Sequence, residues 1–281
     1  GQNPIVIGWQ LDNEPEAKED YSPSSQAAFR NWLKNKYQTI DALNKAWGTA
    51  FWSQIYDDFS QLKIHNANHV GWWGTNPHAL LDFKRYLADT QADFLDFQAE
   101  ILRSLISKKQ YITTNYTATT STADPRRTQK LDFNSFTSYP NKGYANIGDL
   151  GFRLGDPKEL SYALSFFKTE KSISGIMELQ PGYVNWGGIN SLLLPGTLRM
   201  WLYHCFGGHL SFACSYRYRQ INYSAEQYHS GIVKLDGTTL SQGGKDYKQV
   251  INEMKLLRNM FNPKAEVPAK IKERKPALLW N

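Results

Sequence analysis

The chain has 281 residues, 41% of them hydrophobic, which is enough to bury the core of one large α/β domain. No apolar run reaches the roughly 20 residues a membrane-spanning helix needs, and two cysteines cannot build a disulfide framework. The net charge of +6 is scattered except at Lys270-Ile-Lys-Glu-Arg-Lys275, which reads as a solvated linker, so nucleic acid is not an expected partner.

The first element is the apolar run Ile5-Val6-Ile7, predicted to be a buried strand. Polar residues follow, ending in Asn13-Glu14-Pro15. Proline cannot continue a ladder, so the strand stops and leaves Glu14 at its C-terminal tip, where parallel α/β barrels carry their chemistry. A polar loop over 16–25 leads into a helix over Gln26–Lys36, with Phe29, Trp32 and Leu33 at helical spacing. A second helix covers Ile40–Trp47, opened by Thr39 or Asp41 and closed by Gly48. Phe51-Trp52-Ser53 and 57–75 read as irregular, an excursion long enough to wall a substrate pocket. His65 and His69 sit i, i+4 there but lack the glutamate of an H-E-x-x-H helix, so no metal is expected on them. Pro77–Lys108 reads as one long amphipathic helix, with Leu80, Leu81, Phe83, Leu87, Phe94, Leu95, Phe97, Ile101, Leu102 and Leu105 on its apolar face.

Four more strands are predicted, over Tyr111–Tyr116, Leu131–Tyr139, Ile173–Glu178 and His209–Tyr216. Helices over Pro157–Thr169 and Leu198–Phe206 separate them, and Lys245–Asn259 closes the series. Such alternation argues for a parallel α/β fold. A closed (β/α)8 barrel needs eight units and the chain supplies five. The simplest account is the C-terminal part of a barrel over 1–262, a linker over 263–276, and the start of a following domain over 277–281, with a smaller open sheet as the alternative. The chain opens inside a strand without Met and stops as a new one begins, so it is read as a piece of a longer protein. His204, Cys205, His209 and Cys214 fit no common zinc spacing.

Ile173-Ser-Gly-Ile-Met-Glu-Leu-Gln-Pro-Gly182 repeats the form of the first strand: apolar run, one glutamate, then Pro and Gly. One glutamate at a strand tip is ordinarily a solvated rim residue. Two, Glu14 and Glu178, are the minimum equipment for cleaving a glycosidic bond, one protonating the leaving oxygen and the other attacking the sugar or activating water. Nine Trp and sixteen Tyr suit stacking on pyranose rings, although core packing accounts for most of them.

With the glutamates in place, the chain resembles glycoside hydrolase family 42, the microbial β-galactosidases of the clan of retaining (β/α)8 glycosidases. Gly8-Trp-Gln-Leu-Asp-Asn-Glu14 resembles the acid/base strand, and Glu178-Leu-Gln-Pro-Gly182 with Asn185-Trp186 the nucleophile strand. Arg217-Tyr-Arg-Gln220 with Glu226-Gln-Tyr-His229 resembles the eighth-strand loop. Ala28-Phe-Arg-Asn-Trp-Leu33, Asp41-Ala-Leu-Asn-Lys-Ala-Trp-Gly-Thr49 and Leu81-Asp-Phe-Lys-Arg-Tyr86 resemble the family's helical segments. The resemblance implies a TIM barrel whose units four to eight are present and whose first three lie upstream. It implies a retaining hydrolase of terminal β-D-galactosides, with Glu14 as general acid/base and Glu178 as nucleophile, their carboxyls about 5–5.5 Å apart. Glu178 should be ionised, and Glu14 should have a raised pKa.

By the same resemblance Asn13 should bond the sugar 2-OH, Trp186 should stack on the ring, and Glu226 and His229 should hold its hydroxyls. Tyr216, Trp52 and Tyr139 are further pocket candidates, each of which reads first as a packing residue. No cysteine lies in 16–25, where many members hold structural zinc, so neither metal nor cofactor is expected. The partner is a β-galactoside or galacto-oligosaccharide. The resemblance is compatible with a homotrimeric parent. The compartment stays open, a bacterial cytoplasmic or periplasmic protein being expected ahead of a membrane one. Two other readings stay open: hydrolysis of α-L-arabinopyranosides, and a non-catalytic carbohydrate-binding fragment.

Overall fold

The structure is a computed structural model, and it describes residues 3–64, 76–117, 123–142, 151–167, 173–262, 264–266 and 268–272. The described residues fall into two compact units. One is drawn from Pro15–Ser107 and Thr120–Lys130, the other from Asn3–Glu14, Lys108–Thr119 and Leu131–Asn281. His65 and His69 lie outside the described residues.

The first unit is helical. Helix α1 (Pro23–Tyr37) starts where the Ser22 hydroxyl accepts the Ser25 amide, and α2 (Ile40–Trp47) where Thr39 accepts that of Ala42. Gly48 ends α2 with a φ of 63°, the left-handed cap that glycine adopts without strain. Helix α3 (Pro77–Leu105) begins with Asn76 capping His78 and Ala79, and with proline in the first turn, where its missing N–H costs nothing. Phe29, Leu33, Leu43, Trp47, Phe83, Tyr86 and Leu87 close the core.

Buried among these helices is Asp82, only 2% exposed, accepting from Tyr37 Oη at 2.5 Å and Trp47 Nε1 at 2.9 Å and paired with Lys36. Burial alone would push its carboxyl up. The donors from Lys36, Tyr37 and Trp47 outweigh burial and hold it below the usual range. The apolar face expected along α3 is only partly used. Phe83, Leu87 and Leu95 are buried, whereas Phe94, Phe97, Ile101 and Leu105 are between 50% and 62% exposed, a stripe that no described residue covers.

The second unit is built on a parallel sheet of five strands, in spatial order β1 (Gly8–Asn13), β2 (Tyr111–Thr117), β3 (Ser135–Ser138), β4 (Gly175–Leu179) and β5 (Phe212–Ser215). Chain order equal to spatial order is the topology of repeated β/α units. Among the described residues β1 and β5 each have one unpaired edge.

That edge corrects the first expected strand. Ile5 and Ile7 precede β1 and are 85% and 71% exposed rather than buried, because nothing described packs on their outer side. The third strand begins later than expected, at Ser135. Asp132 already bridges to β2, its carboxylate accepting the Ile112 amide at 2.6 Å and its own amide donating to Ile112 O at 2.9 Å. The last strand is likewise shorter than expected, since His209 turns with a φ of 71°.

Short helix α4 (Gly151–Leu154) and helix α5 (Pro157–Phe166) follow β3, α6 (Thr197–Gly207) follows β4, and α7 (Gln242–Met260) follows β5. Phe167, just past α5, stacks on Phe136 of β3 with centroids 4.9 Å apart, and Tyr247 of α7 donates to Ala213 O of β5 at 2.7 Å. Arg199 and Tyr203 of α6 both donate to Glu253 of α7. Within the expected linker, Ala269–Lys272 forms one helical turn, α8. No helix among the described residues is long and apolar enough to cross a membrane.

Candidate active site

Three of the four strand pairings slip near their C-terminal ends: between Gln10 and Asn13, between Phe136 and Thr137, and between Ile176 and Leu179. Such bulges take residues off the ladder and re-aim their side chains. The slip in β1 is strained as well, with φ of 43° at Asp12 and 48° at Glu14, a region that non-glycine residues seldom adopt. Asn13 and Glu14 therefore leave the strand at one tip of the sheet, and Glu178 stands at the corresponding tip of β4.

Asn115 of β2, fully buried between them, joins the two. Its Oδ1 accepts the Glu14 amide at 3.0 Å and Gln10 Nε2 at 2.9 Å. Its Nδ2 donates to Asn13 Oδ1 at 3.0 Å, Thr137 Oγ1 at 3.0 Å and Glu178 Oε1 at 3.1 Å. The other Glu178 oxygen accepts from Tyr139 Oη at 2.9 Å. Burial is the largest influence on Glu178 and pushes its carboxyl up. The Tyr139 hydrogen bond works against that, and the charges of Glu14 and Glu226 add to it. Burial and the Glu178 charge push the Tyr139 phenol far up, so it stays a donor at any working pH.

Around the carboxylates stands an aromatic and polar wall. Trp186, 47% exposed, meets Tyr139 edge to face at 5.0 Å. The His229 ring stands perpendicular to Tyr139 and Tyr216, at 5.9 and 5.4 Å. Tyr216 Oη donates to Glu226 Oε2 at 2.8 Å, and Arg217 pairs with the same oxygen at 3.4 Å. His229 is buried, which lowers its pKa. Its Nδ1 lies 3.1 Å from Ser230 O, and its Nε2 has no hydrogen-bond partner among the described residues. Asn13, Glu14, Tyr139, Glu178, Trp186, Tyr216, Glu226 and His229 all belong to the second unit. Trp52 does not: it sits in the first unit, 70% exposed and against Phe51.

The loops carrying these groups are tied together from behind. Gln180, fully buried, accepts the Asn141 amide at 2.8 Å and donates to Asn141 O and Gly182 O, each at 2.8 Å. Glu159 of α5 accepts the Tyr139 amide at 3.3 Å and pairs with Lys142 at 2.9 Å. Lys142 O in turn accepts the Gly188 amide at 2.8 Å. Gly187 lies so close to that carbonyl that a Cβ there would come within 2.8 Å of it, so the Trp186 loop is seated on Lys142.

The family model for glycoside hydrolase family 42, described as beta-galactosidase, matches residues 1–257. The chain belongs to that family. It is 34% identical to the beta-galactosidase BgaA of a Thermus species over 275 residues, covering 94% of this chain and 41% of the relative. It is 31% identical to BgaH of Haloferax lucentense, over 84% of this chain and 36% of that protein. Among solved structures, the beta-galactosidase of the psychrophilic Marinomonas ef1 superposes with a TM-score of 0.82 at 31% identity, covering 92% of this chain and 40% of that one. The family 42 enzyme Gan42B gives a TM-score of 0.74 at 28% identity, over 92% and 37%. The chain thus spans about two fifths of the length of the relatives it matches. Its five-stranded parallel sheet is the corresponding part of a family 42 TIM barrel.

Sequence reasoning missed Asn115, Gln180 and Glu159. A signal for the first was present. Thr113-Thr114-Asn115 puts three polar residues in succession inside a strand that is buried at all three, and buried polar groups need partners. Gln180 and Glu159 carried no such mark, because their partners, backbone groups of Asn141, Gly182 and Tyr139 and the Lys142 ammonium, include groups brought near only by the fold.

Proposed function

We propose that this chain carries the catalytic pair of a retaining β-D-galactosidase, with Glu178 as nucleophile and Glu14 as general acid/base. The observation that carries the reading is that the two residues flank one buried amide, Asn115, at the C-terminal tips of β1 and β4. In the first step Glu178 attacks the anomeric carbon while Glu14 gives its proton to the departing glycosidic oxygen, breaking the bond to the leaving group. In the second, Glu14, now a base, takes a proton from water, whose oxygen displaces the Glu178 carboxylate from the sugar. Tyr139 and Asn115 donate to Glu178, which favours the ionised form that attack requires, against burial.

The surrounding groups suit a pyranose. Asn13 has its Oδ1 engaged by Asn115, so its N–H donors are turned elsewhere, fit for the 2-OH. Trp186 offers a half-exposed ring face. Glu226, Tyr216 and His229, the last with an unpartnered Nε2, suit sugar hydroxyls. The terminal sugar is galactose, as the names of the relatives suggest.

The test is hydrolysis of an aryl β-D-galactoside by the protein with its natural flanking sequence, beside its Glu178→Ala variant with and without azide. Expected are turnover in the parent, a loss of more than about a thousandfold in the variant, and rescue by azide as the glycosyl azide of inverted configuration. A parent that turns over neither the β-D-galactoside nor the matching α-L-arabinopyranoside overturns the reading.

A further inference from the structure

We propose that Asn115 is a positioning residue that sets the acid/base and the nucleophile against each other through one carboxamide; this rests on the roles of Glu14 and Glu178 just given. The chemistry at each end dictates the residue. The Glu14 amide can only donate, so an acceptor must face it. An ionised Glu178 can only accept, so a donor must face that. A carboxamide presents both from the two ends of one rigid plane, and its orientation is fixed by these partners rather than left to choice. Gln10 takes the second lone pair of Oδ1, while Glu178, Asn13 and Thr137 share the two Nδ2 hydrogens. The amide is buried, and both its oxygen and its nitrogen are engaged.

The strand does not need this side chain. Pairing of β1 with β2 and of β2 with β3 runs through backbone groups, and a buried leucine would fill similar space. What leucine would lose is the donor to Glu178 Oε1 and the acceptor for the Glu14 amide. Aspartate would keep the shape and the acceptor but lose the donor, and it would add a charge beside Glu14, Glu178 and Glu226. Glu226 is already paired with Arg217, and Tyr139 is the other donor to Glu178. The two steps of double displacement need one fixed separation, although Glu14 changes from acid to base between them. A shared planar amide supplies that separation in both.

The experiment compares parent, Asn115→Leu, Asn115→Asp and Gln10→Leu by isotope-edited NMR of the glutamate side-chain carboxyls, with Glu178 assigned through Glu178→Gln. The Glu178 titration midpoint should rise in Asn115→Leu and rise further in Asn115→Asp. Gln10 is exposed and donates to Asn115 Oδ1, so its variant should fold and show a smaller rise of the same sign. On the aryl galactoside, kcat should fall about a hundredfold in Asn115→Leu, as for loss of one preorganised donor, with KM little changed and the acid limb of kcat/KM moved up. An unmoved Glu178 midpoint in folded Asn115 variants overturns the proposal. So does an unmoved midpoint in Gln10→Leu, should the Asn115 variants fail to fold. Absence of turnover in the parent counts against the galactosidase reading alone, since the titration still reports on the tie between Asn115 and Glu178.

Discussion

Glu178 sits between opposed influences: burial and two neighbouring carboxylates push its proton affinity up, and Tyr139 pulls it down. Tyr139→Phe keeps the ring against Trp186 and His229 but deletes the donor. A hydrogen bond to a charged group is worth about 1.5–3 kcal/mol, so kcat should fall by roughly tenfold to a hundredfold. The sign of the pH effect comes from the same balance. With one lowering influence gone, Glu178 ionises at a higher pH, so the acid limb of the kcat/KM profile should move up, measured on an aryl galactoside. At this scale the sequence was informative about groups that end strands and silent about groups that brace them. Glu14 and Glu178 were legible because proline and glycine come soon after them. Asn115 acts through partners on three other segments, a relation that adjacency in sequence does not carry.

Elements were read well where local chemistry decides them. Thr39, Gly48 and the prolines 77 and 157 that open predicted helices mark ends that the structure reproduces to within a few residues, whereas α1 begins at Pro23, inside the expected loop, because Ser22 caps it. Strands were read less well, because pairing decides their length: Asp132 bridges to β2 before β3 begins, and Ile5–Ile7 has a neighbour on one side only. Asp82 makes a prediction for the helical unit. Its folded pKa is depressed, so its contribution to stability is complete above the unfolded value of about 3.9 and is lost as pH falls through the lower folded value. Acid unfolding of α1–α3, followed by circular dichroism, should therefore steepen in that window. Asp82→Ala strands Lys36 and the Tyr37 and Trp47 donors, and should cost about 3–5 kcal/mol at neutral pH by urea titration.

At the scale of the whole molecule, the sequence indicated five β/α units of an eight-unit fold, and the sheet order agrees. Five units leave uncovered surface among the described residues. The free edges of β1 and β5, the stripe Phe94, Phe97, Ile101 and Leu105, and the exposed Leu256, Met260 and Phe261 present unpaired backbone and apolar area. These 281 residues alone should self-associate with rising concentration, read by light scattering after size exclusion. Phe97→Lys with Ile101→Lys should reduce that association; a monodisperse monomer from the unmodified chain would contradict this account.

The brace formed by Gln180 has a consequence for how such a site can diversify. Its side chain bonds to Asn141 on both faces of one residue and to Gly182 beyond, much as an added strand residue would. Two loops from different strands are thereby held in one register, because an insertion between them and this brace would break both bonds to Asn141 at once. Change in substrate preference is channelled into the stretches that leave this brace, the turn beyond Trp186 and the loop from Arg217 to Ser241. Natural variation and directed evolution should find tolerance there, while the segments 139–142 and 180–182 keep their spacing.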